Sequence, residues 1–176
     1  MRVLYDLVIV GGGAAGLTAA LYASRSGLDC IVLDPSSPEG SSIALTDAVE
    51  NYTGFSDIAG FDLIQHFYSH AKSFGANFVR QSLVGIRKNY DGFILECSDS
   101  EVKTKSVILC MGATHKKLGI DGENKFEGRG VSYCAVCDGY FFKDKTVAAE
   151  ETPPLPRQPI FLIYANGFFL FTGAMH

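Results

Sequence analysis

The chain opens as short apolar runs broken by glycine. "LYDLVIV", Leu4 to Val10, is apolar and β-branched and reads as a buried strand. Gly11, Gly12 and Gly13 end it. "AAGLTAALYASRSG" follows, rich in Ala and Leu, with apolar residues at helical spacing and Gly27 where a helix would stop. "CIVLD", Cys30 to Asp34, reads as a second buried strand. Strand, glycine turn, helix and strand make a βαβ unit, whose crossover implies parallel strands. Residues 35–60 are rich in Ser, Pro, Gly and Thr, a connection long enough to be functional rather than idle. "FDLIQHFYSHAKSFG" predicts an amphipathic helix with Phe61, Ile64, Phe67, Tyr68 and Ala71 on one face, ending at Gly75. Runs at "ANFVRQSLVGI", "GFILEC" and "SVILCMGA" predict strands.

The pattern changes beyond Lys145. Four of the six prolines fall between Pro153 and Pro159. "IFLIYANGFFLFTGAMH" is then strongly apolar, with neither helical nor strand periodicity and no polar face, and it is too short to span a bilayer.

Composition narrows the function classes. A chain of 176 residues accommodates one domain or one and a fraction, and 47% hydrophobic residues supply a core. A net charge of −4 carries no electrostatic footprint for nucleic acid. Asp6 and the glycines interrupt the first apolar run, so no signal peptide is predicted, and no run of eighteen apolar residues predicts a membrane span. Five cysteines at uneven spacings are not a secreted disulfide framework. The default is a cytoplasmic protein, in which C-x-x-C is more often catalytic or metal-binding than structural.

The glycine turn is the first candidate site. Gly11-x-Gly13-x-x-Gly16 follows a strand and opens a helix. The first glycine permits the tight turn. The second lets the backbone approach a pyrophosphate at the positive end of the helix dipole. The third lets helix and strand pack closely. Asp34 ends the next strand, where an acid recognises a ribose hydroxyl. It would repel a 2′-phosphate, so the site suits the adenosine of FAD or NAD, and the fingerprint does not separate these two.

Cys134 and Cys137 form the second. Zinc takes four ligands, commonly from two paired motifs, and this chain has one such motif. Cys30, Cys97 and Cys110 fall in predicted strands as small buried hydrophobes. A redox dithiol fits better, because this spacing closes a small disulfide ring and lowers one thiol pKa. Asp138 beside Cys137 is either a proton carrier for thiolate exchange or a helix cap. His66 and His70, one helical turn apart, read as solvated or partly buried histidines rather than ligands, so no metal site is predicted.

"YDLVIVGGGAAGLTAALYASR", "VENYTGF", "MGATHKKLGIDGE" and "GRGVSYCAVCDGYFF" occur in this order. Together they strongly resemble the low-molecular-weight, bacterial-type thioredoxin reductases, from residue 4 to about 147. The C-x-x-C-D-G after G-R-G-V-S is the specific part. The resemblance implies an α/β fold: an incomplete Rossmann-like FAD-binding domain, with a parallel sheet, helices and a small antiparallel β element, then the start of a second nucleotide-binding domain. Residues 1–113 would begin the FAD domain, 114–147 would begin the NADPH domain with the C-x-x-C centre, and 148–176 form an atypical tail. Gly11, Gly13, Ala14, Ala15 and Gly16 would hold the FAD pyrophosphate and Asp34 the adenosine ribose. Thr46, Asn51, Gly112 and Ala113 would border the flavin side. NADPH would reduce FAD, FAD the dithiol, and the dithiol the disulfide of thioredoxin. Cys137 would take the electrons, Cys134 would attack thioredoxin, and Asp138 would be the acid–base group. Members are usually homodimers.

Two local departures and one large one stand out. Gly40-Ser41-Ser42 occupies the place of Gly-Gly-Gln, and Cys110-Met111 that of Ala-Thr. A second glycine fingerprint, for NADPH, should follow "KDKTV", but "AAEETPPLPRQP" stands there. Pairing the last base of each codon with the first two of the next allows Gly-Gly-Gly-Asp-Ser-Ala-Ala-Ala-Glu-Ala from Ala148 to Gln158, and His-Arg-Arg-Asp-Ala from Phe171 to His176. Both strings look like the family's NADPH motifs, so the tail reads as a frameshift product. The alternative is a genuine linker and docking element. Activity of the chain alone with NADPH is therefore expected to be low. The other readings are a non-catalytic remnant that at most binds FAD, and a small C-x-x-C redox or metal-binding protein. An apolar tail without a designed partner promotes aggregation, as does an open sheet edge.

Overall fold

The computed structural model describes residues 4–113, 117–127, 129–133, 139–143, 145–150, 160–164 and 168–172. The chain divides into two compact units, 1–112 and 113–176.

The first unit follows the pattern of its apolar runs. In order come β1 (Tyr5–Val10), α1 (Ala14–Arg25), β2 (Cys30–Leu33), α2 (Gly60–Ser73), β3 (Asn77–Val79), β4 (Leu83–Asn89), β5 (Gly92–Cys97) and β6 (Glu101–Leu109). One six-stranded sheet takes them in the order β3-β2-β1-β6-β5-β4. The β3, β2, β1 and β6 strands run parallel, and β6, β5 and β4 form an antiparallel meander. Strand alternation sorts the core into two clusters. Leu7, Ile9, Cys30 and Val32 face Ala20 and Ala23 of α1 and Ala71 of α2. Val8, Val10, Ile31 and Leu33 point the other way and gather with Leu95 and Val102 of the meander. Burying a Val, Leu or Ile side chain stabilises by about 1.5–3 kcal/mol, so these two layers hold the sheet.

Both helices stop by the same device. Leu28 N–H donates to Ala23 and Gly27 N–H to Ser24; Ala76 N–H donates to Ala71 and Gly75 N–H to Lys72. Gly27 and Gly75 carry φ of +75° and +91°, the left-handed conformation this cap requires.

Two expectations are corrected here. On α2 the buried residues are Gly60, Leu63, Ile64 and Ala71, while Phe61 is 46% exposed. The stripe is centred on 60, 64, 67 and 71, and Phe61 falls at its border. The last strand begins at Glu101 rather than near Ser106. "EVKTK" alternates strictly, with Val102 and Thr104 buried and Glu101, Lys103 and Lys105 exposed. Cys110 consequently lies just past β6 rather than within it. β6 serves both halves of the sheet: its residues 101–104 pair with β5 and its residues 104–109 with β1.

The second unit contains α3 (Glu123–Phe126), β7 (Val131–Ser132), a 3-10 turn at Gly139–Phe142, β8 (Ala148–Glu150), β9 (Ile160–Tyr164) and β10 (Phe168–Thr172). Its β9 runs antiparallel to β7, β8 and β10. The tail expected to lack strand character thus carries a hairpin, paired from Phe168↔Tyr164 to Thr172↔Ile160. A continuous apolar run carries no alternation, so periodicity alone does not mark it as a strand. Asn166-Gly167, between the two runs, is a favoured hairpin pair. The expectation that the tail has no partner is corrected with it. A small cluster of Val131 and Tyr133 with Leu118 and Phe126 lies in the same unit.

Candidate functional site

The glycine turn sits where the parallel strands end. Gly11 N–H donates to Leu33 O at 2.9 Å, and Cys110 N–H to Val10 O at 2.7 Å. The carboxyl ends of β1, β2 and β6 thus meet at the turn, the place where open α/β sheets bind ligands. A Cβ on Gly11 would lie 2.2 Å from the Cys110 carbonyl oxygen, and one on Gly16 would lie 1.8 Å from the Gly11 oxygen. Both contacts are with backbone, so neither site admits a side chain. Among the described residues, a Cβ on Gly13 would meet only Ser41 Cβ, at 3.8 Å. Gly13 is therefore bare for a different reason: the space above it is open.

Gly13 also caps α1, accepting Leu17 N–H at 2.9 Å. No side chain caps this end, and the first turn holds no acid. The amides of Ala14, Ala15 and Gly16 have no acceptor inside the helix, and the helix dipole adds partial positive charge there. A side-chain-free hollow beside free amides fits a pyrophosphate.

Asp34 joins the same site. Its Oδ2 accepts Gly12 N–H at 2.6 Å, and its Oδ1 accepts Ser36 N–H at 2.8 Å. Buried Ser37 donates its hydroxyl to Gly12 O at 3.1 Å. A Cβ on Gly12 would lie 2.1 Å from Ser37 Oγ. Gly12 and Ser37, which the fingerprint does not mark, thus lock the acid to the turn. The Ser36 hydroxyl also donates to Oδ1, at 3.3 Å, so Oδ2 is the oxygen that keeps a lone pair for a hydroxyl donor, and the charge of Asp34 disfavours a phosphate monoester.

The structure groups Gly11, Gly13, Ala14, Ala15, Gly16 and Asp34 at one turn. Thr46 accepts Gly60 N–H at 3.0 Å and donates its hydroxyl to Ser42 O at 3.2 Å, tying the connecting loop to the start of α2. Asn51 is exposed on that loop, between the bridged residues Val49 and Ile58. Gly112 and Ala113 are both exposed. Ser41, in the segment that departs from Gly-Gly-Gln, is the side chain nearest Gly13. Cys134, Cys137 and Asp138 lie outside the described residues. Burial pushes the Cys97 and Cys110 thiols up, away from thiolate at neutral pH. Among the described residues no three His, Cys, Asp or Glu gather for a metal, so exposed His66 and His70 stay a pair.

Sequence reading missed Glu123. It is 3% exposed, and its Oε1 accepts Leu118 N–H at 2.9 Å and the Tyr133 hydroxyl at 2.7 Å. Its Oε2 accepts Gly119 N–H at 2.7 Å. Burial opposes ionisation, but the Tyr133 hydroxyl and the amides of Leu118, Gly119 and Ile120 hold the carboxyl below its usual range. Burial, with Glu123 as acceptor and Glu127 nearby, pushes the Tyr133 phenol well above its usual range. A Gly-Glu pair in a loop is too common a signal to mark such a site.

These features agree with what the chain resembles. Residues 5–151 match the family model for pyridine nucleotide-disulphide oxidoreductases. The thioredoxin reductase of Bacillus subtilis (strain 168) is 42% identical over 142 residues, 81% of this chain and 45% of that protein. That of Treponema pallidum (strain Nichols) is 43% identical over 148 residues, 84% of this chain and 48% of that protein. The thioredoxin reductase structure from Streptococcus pyogenes MGAS5005 superposes with a TM-score of 0.77 at 36% identity, over 85% of this chain and 48% of that one. The chain therefore spans about half the length of the curated relatives it matches. No helix among the described residues is long and apolar enough to cross a membrane. With the glycine cradle at the parallel strand ends and a family match across most of its length, the chain belongs to the pyridine nucleotide-disulphide oxidoreductase family.

Proposed function

We propose that this chain is part of an FAD-dependent disulfide reductase of the thioredoxin reductase type, which uses NADPH to reduce the disulfide of thioredoxin. The observation that carries this reading is the side-chain-free hollow above Gly13 at the start of α1, upstream of C-x-x-C-D-G in one chain. Bound FAD supplies two-electron chemistry to such a site.

The chain's own residues divide the work. The amides after Gly13, on Ala14, Ala15 and Gly16, hold the pyrophosphate, and Gly11 and Gly16 keep the turn tight enough to present them. Asp34 accepts a ribose hydroxyl. Thr46, Asn51, Gly112 and Ala113 border the flavin side. Cys134 as thiolate attacks one sulfur of the thioredoxin disulfide and expels the other. Cys137 then attacks Cys134, freeing the second thioredoxin thiol and leaving the Cys134–Cys137 disulfide. Asp138 supplies and collects the protons. The working protein is a cytoplasmic homodimer. Residues 1–113 begin its FAD domain, and 114–147 begin the domain that carries the dithiol.

The test is flavin binding by the purified chain. We expect a flavin absorbance band that survives gel filtration after incubation with FAD. A folded chain that retains no flavin sinks the reading.

A further inference from the structure

The loop after β2 brings one side chain to the open space above Gly13. Among the described residues, Ser41 Cβ is the only atom within 4 Å of a Cβ placed on Gly13, at 3.8 Å. The Ser41 hydroxyl oxygen lies further off, so no described atom fills the room between it and the turn. Ser41 is half-buried. In the Gly-Gly-Gln pattern this place holds glycine, so the hydroxyl is this chain's own.

Local bonds hold Ser41 in this place. Ser37 ties the loop to the glycine turn by donating its hydroxyl to Gly12 O at 3.1 Å. Gly40 N–H donates to Ser36 O at 2.8 Å, and Ser41 N–H to Pro38 O at 3.3 Å. Ser41 Oγ accepts Ala44 N–H at 3.2 Å. These ties order the side chain in advance, which lowers the cost of binding. The Ala44 contact uses only the acceptor side of the hydroxyl. A serine also carries an O–H donor, and among the described residues no acceptor meets it. The amides of Ala14, Ala15 and Gly16 border the same space, at the positive end of α1. Donors from two separate elements thus converge on unfilled room, an arrangement that suits an anion with several acceptor oxygens. We infer that Ser41 is a phosphate ligand, its hydroxyl donating to the same diphosphate that the α1 amides hold. The inference rests on the reading of the hollow as the pyrophosphate site of FAD.

Titration of the whole chain with FAD, followed by flavin fluorescence, tests it. The two phosphorus resonances of bound FAD report on the hydrogen bonds to each phosphate, and they are read by phosphorus NMR. Thermal melting of each variant without FAD checks the fold.

Ser41→Ala is expected to melt close to the parent yet bind FAD about ten- to a hundredfold more weakly, the range for a hydrogen bond to a charged acceptor. One of the two phosphorus resonances should move and the other stay. Ser41→Thr, which keeps a hydroxyl, should restore both the affinity and the resonance. A Ser41→Ala chain that binds FAD like the parent overturns the inference. So does weaker binding with both phosphorus resonances unmoved, because the serine then acts only on the loop. If Ser41→Ala fails to fold, Ser41→Gly, which also lacks the hydroxyl, decides by the same readings. A folded parent that retains no FAD sinks the proposed function and this inference with it. A parent that binds FAD beside an unchanged Ser41→Ala sinks only the inference.

Discussion

Gly13 and Gly16 stand three residues apart in one turn, and a methyl group added to each has a different consequence. At Gly16 it would press within 1.8 Å of the Gly11 oxygen, so Gly16→Ala should destabilise the first unit by about 1–3 kcal/mol, read as a lower urea midpoint. At Gly13 its nearest neighbour is 3.8 Å away. Gly13→Ala should therefore melt like the parent while retaining at least about tenfold less flavin, because the methyl occupies ligand space. The spacing of the glycines and the acid at Asp34 were legible in the sequence, because only glycine fits such a turn. Ser37 and Glu123 were not, since a loop Ser or Glu is solvated in most contexts and only tertiary burial makes it a partner. Glu123 also gives a pH dependence. Its carboxyl is held below the usual range, so the unfolded chain binds that proton more tightly. Its stabilisation is complete above the ordinary glutamate pKa of about 4.3 and is lost as pH falls through the lower folded value. Amide exchange protection at Leu118 and Gly119, corrected for the intrinsic rate, should fall over that window.

Among the elements, the helices announced themselves and the meander did not. Gly27 and Gly75 mark the ends of α1 and α2, and both stand in open space at positive φ. Gly75→Ala should thus cost about 1 kcal/mol from backbone strain alone, measured as a shift in urea midpoint at constant slope. The start of β6 was hidden because "EVKTK" contains one aliphatic residue, and its strand character rests on pairing Glu101–Thr104 with β5. The hairpin of β9 and β10 was hidden for the opposite reason. A run that is apolar throughout carries no period to read, and the Asn-Gly pair in the sequence between the two runs was a weak local cue.

For the whole molecule, the cradle and the dithiol motif coexist with the absence of a second glycine fingerprint in the 176 residues. The chain alone should therefore bind FAD yet oxidise NADPH no faster than a flavin-free control, checked by absorbance decay at 340 nm. Appreciable NADPH-driven reduction of thioredoxin by this chain would contradict that expectation. The gene around codons 144–150 is the matching test of the tail. A single-base slip there, followed by sequence encoding the NADPH motifs in the other frame, is the expected finding. An undisturbed frame with no such sequence downstream would make the tail genuine.

The double service of β6 also sets an order of events at the ribosome. β1 is paired with β2 once residue 33 has emerged, but its other edge waits for Thr104–Leu109, 71–76 residues further along the chain. At about 5–20 residues per second, that wait lasts roughly 4–15 s. Val8 and Val10, which end buried against the meander, lack that cover throughout the interval. The nascent βαβ unit is thus a sticky species by construction. Translation pauses between residues 34 and 100 should lengthen its exposure, and chaperone binding should release only after β6 has cleared the exit tunnel.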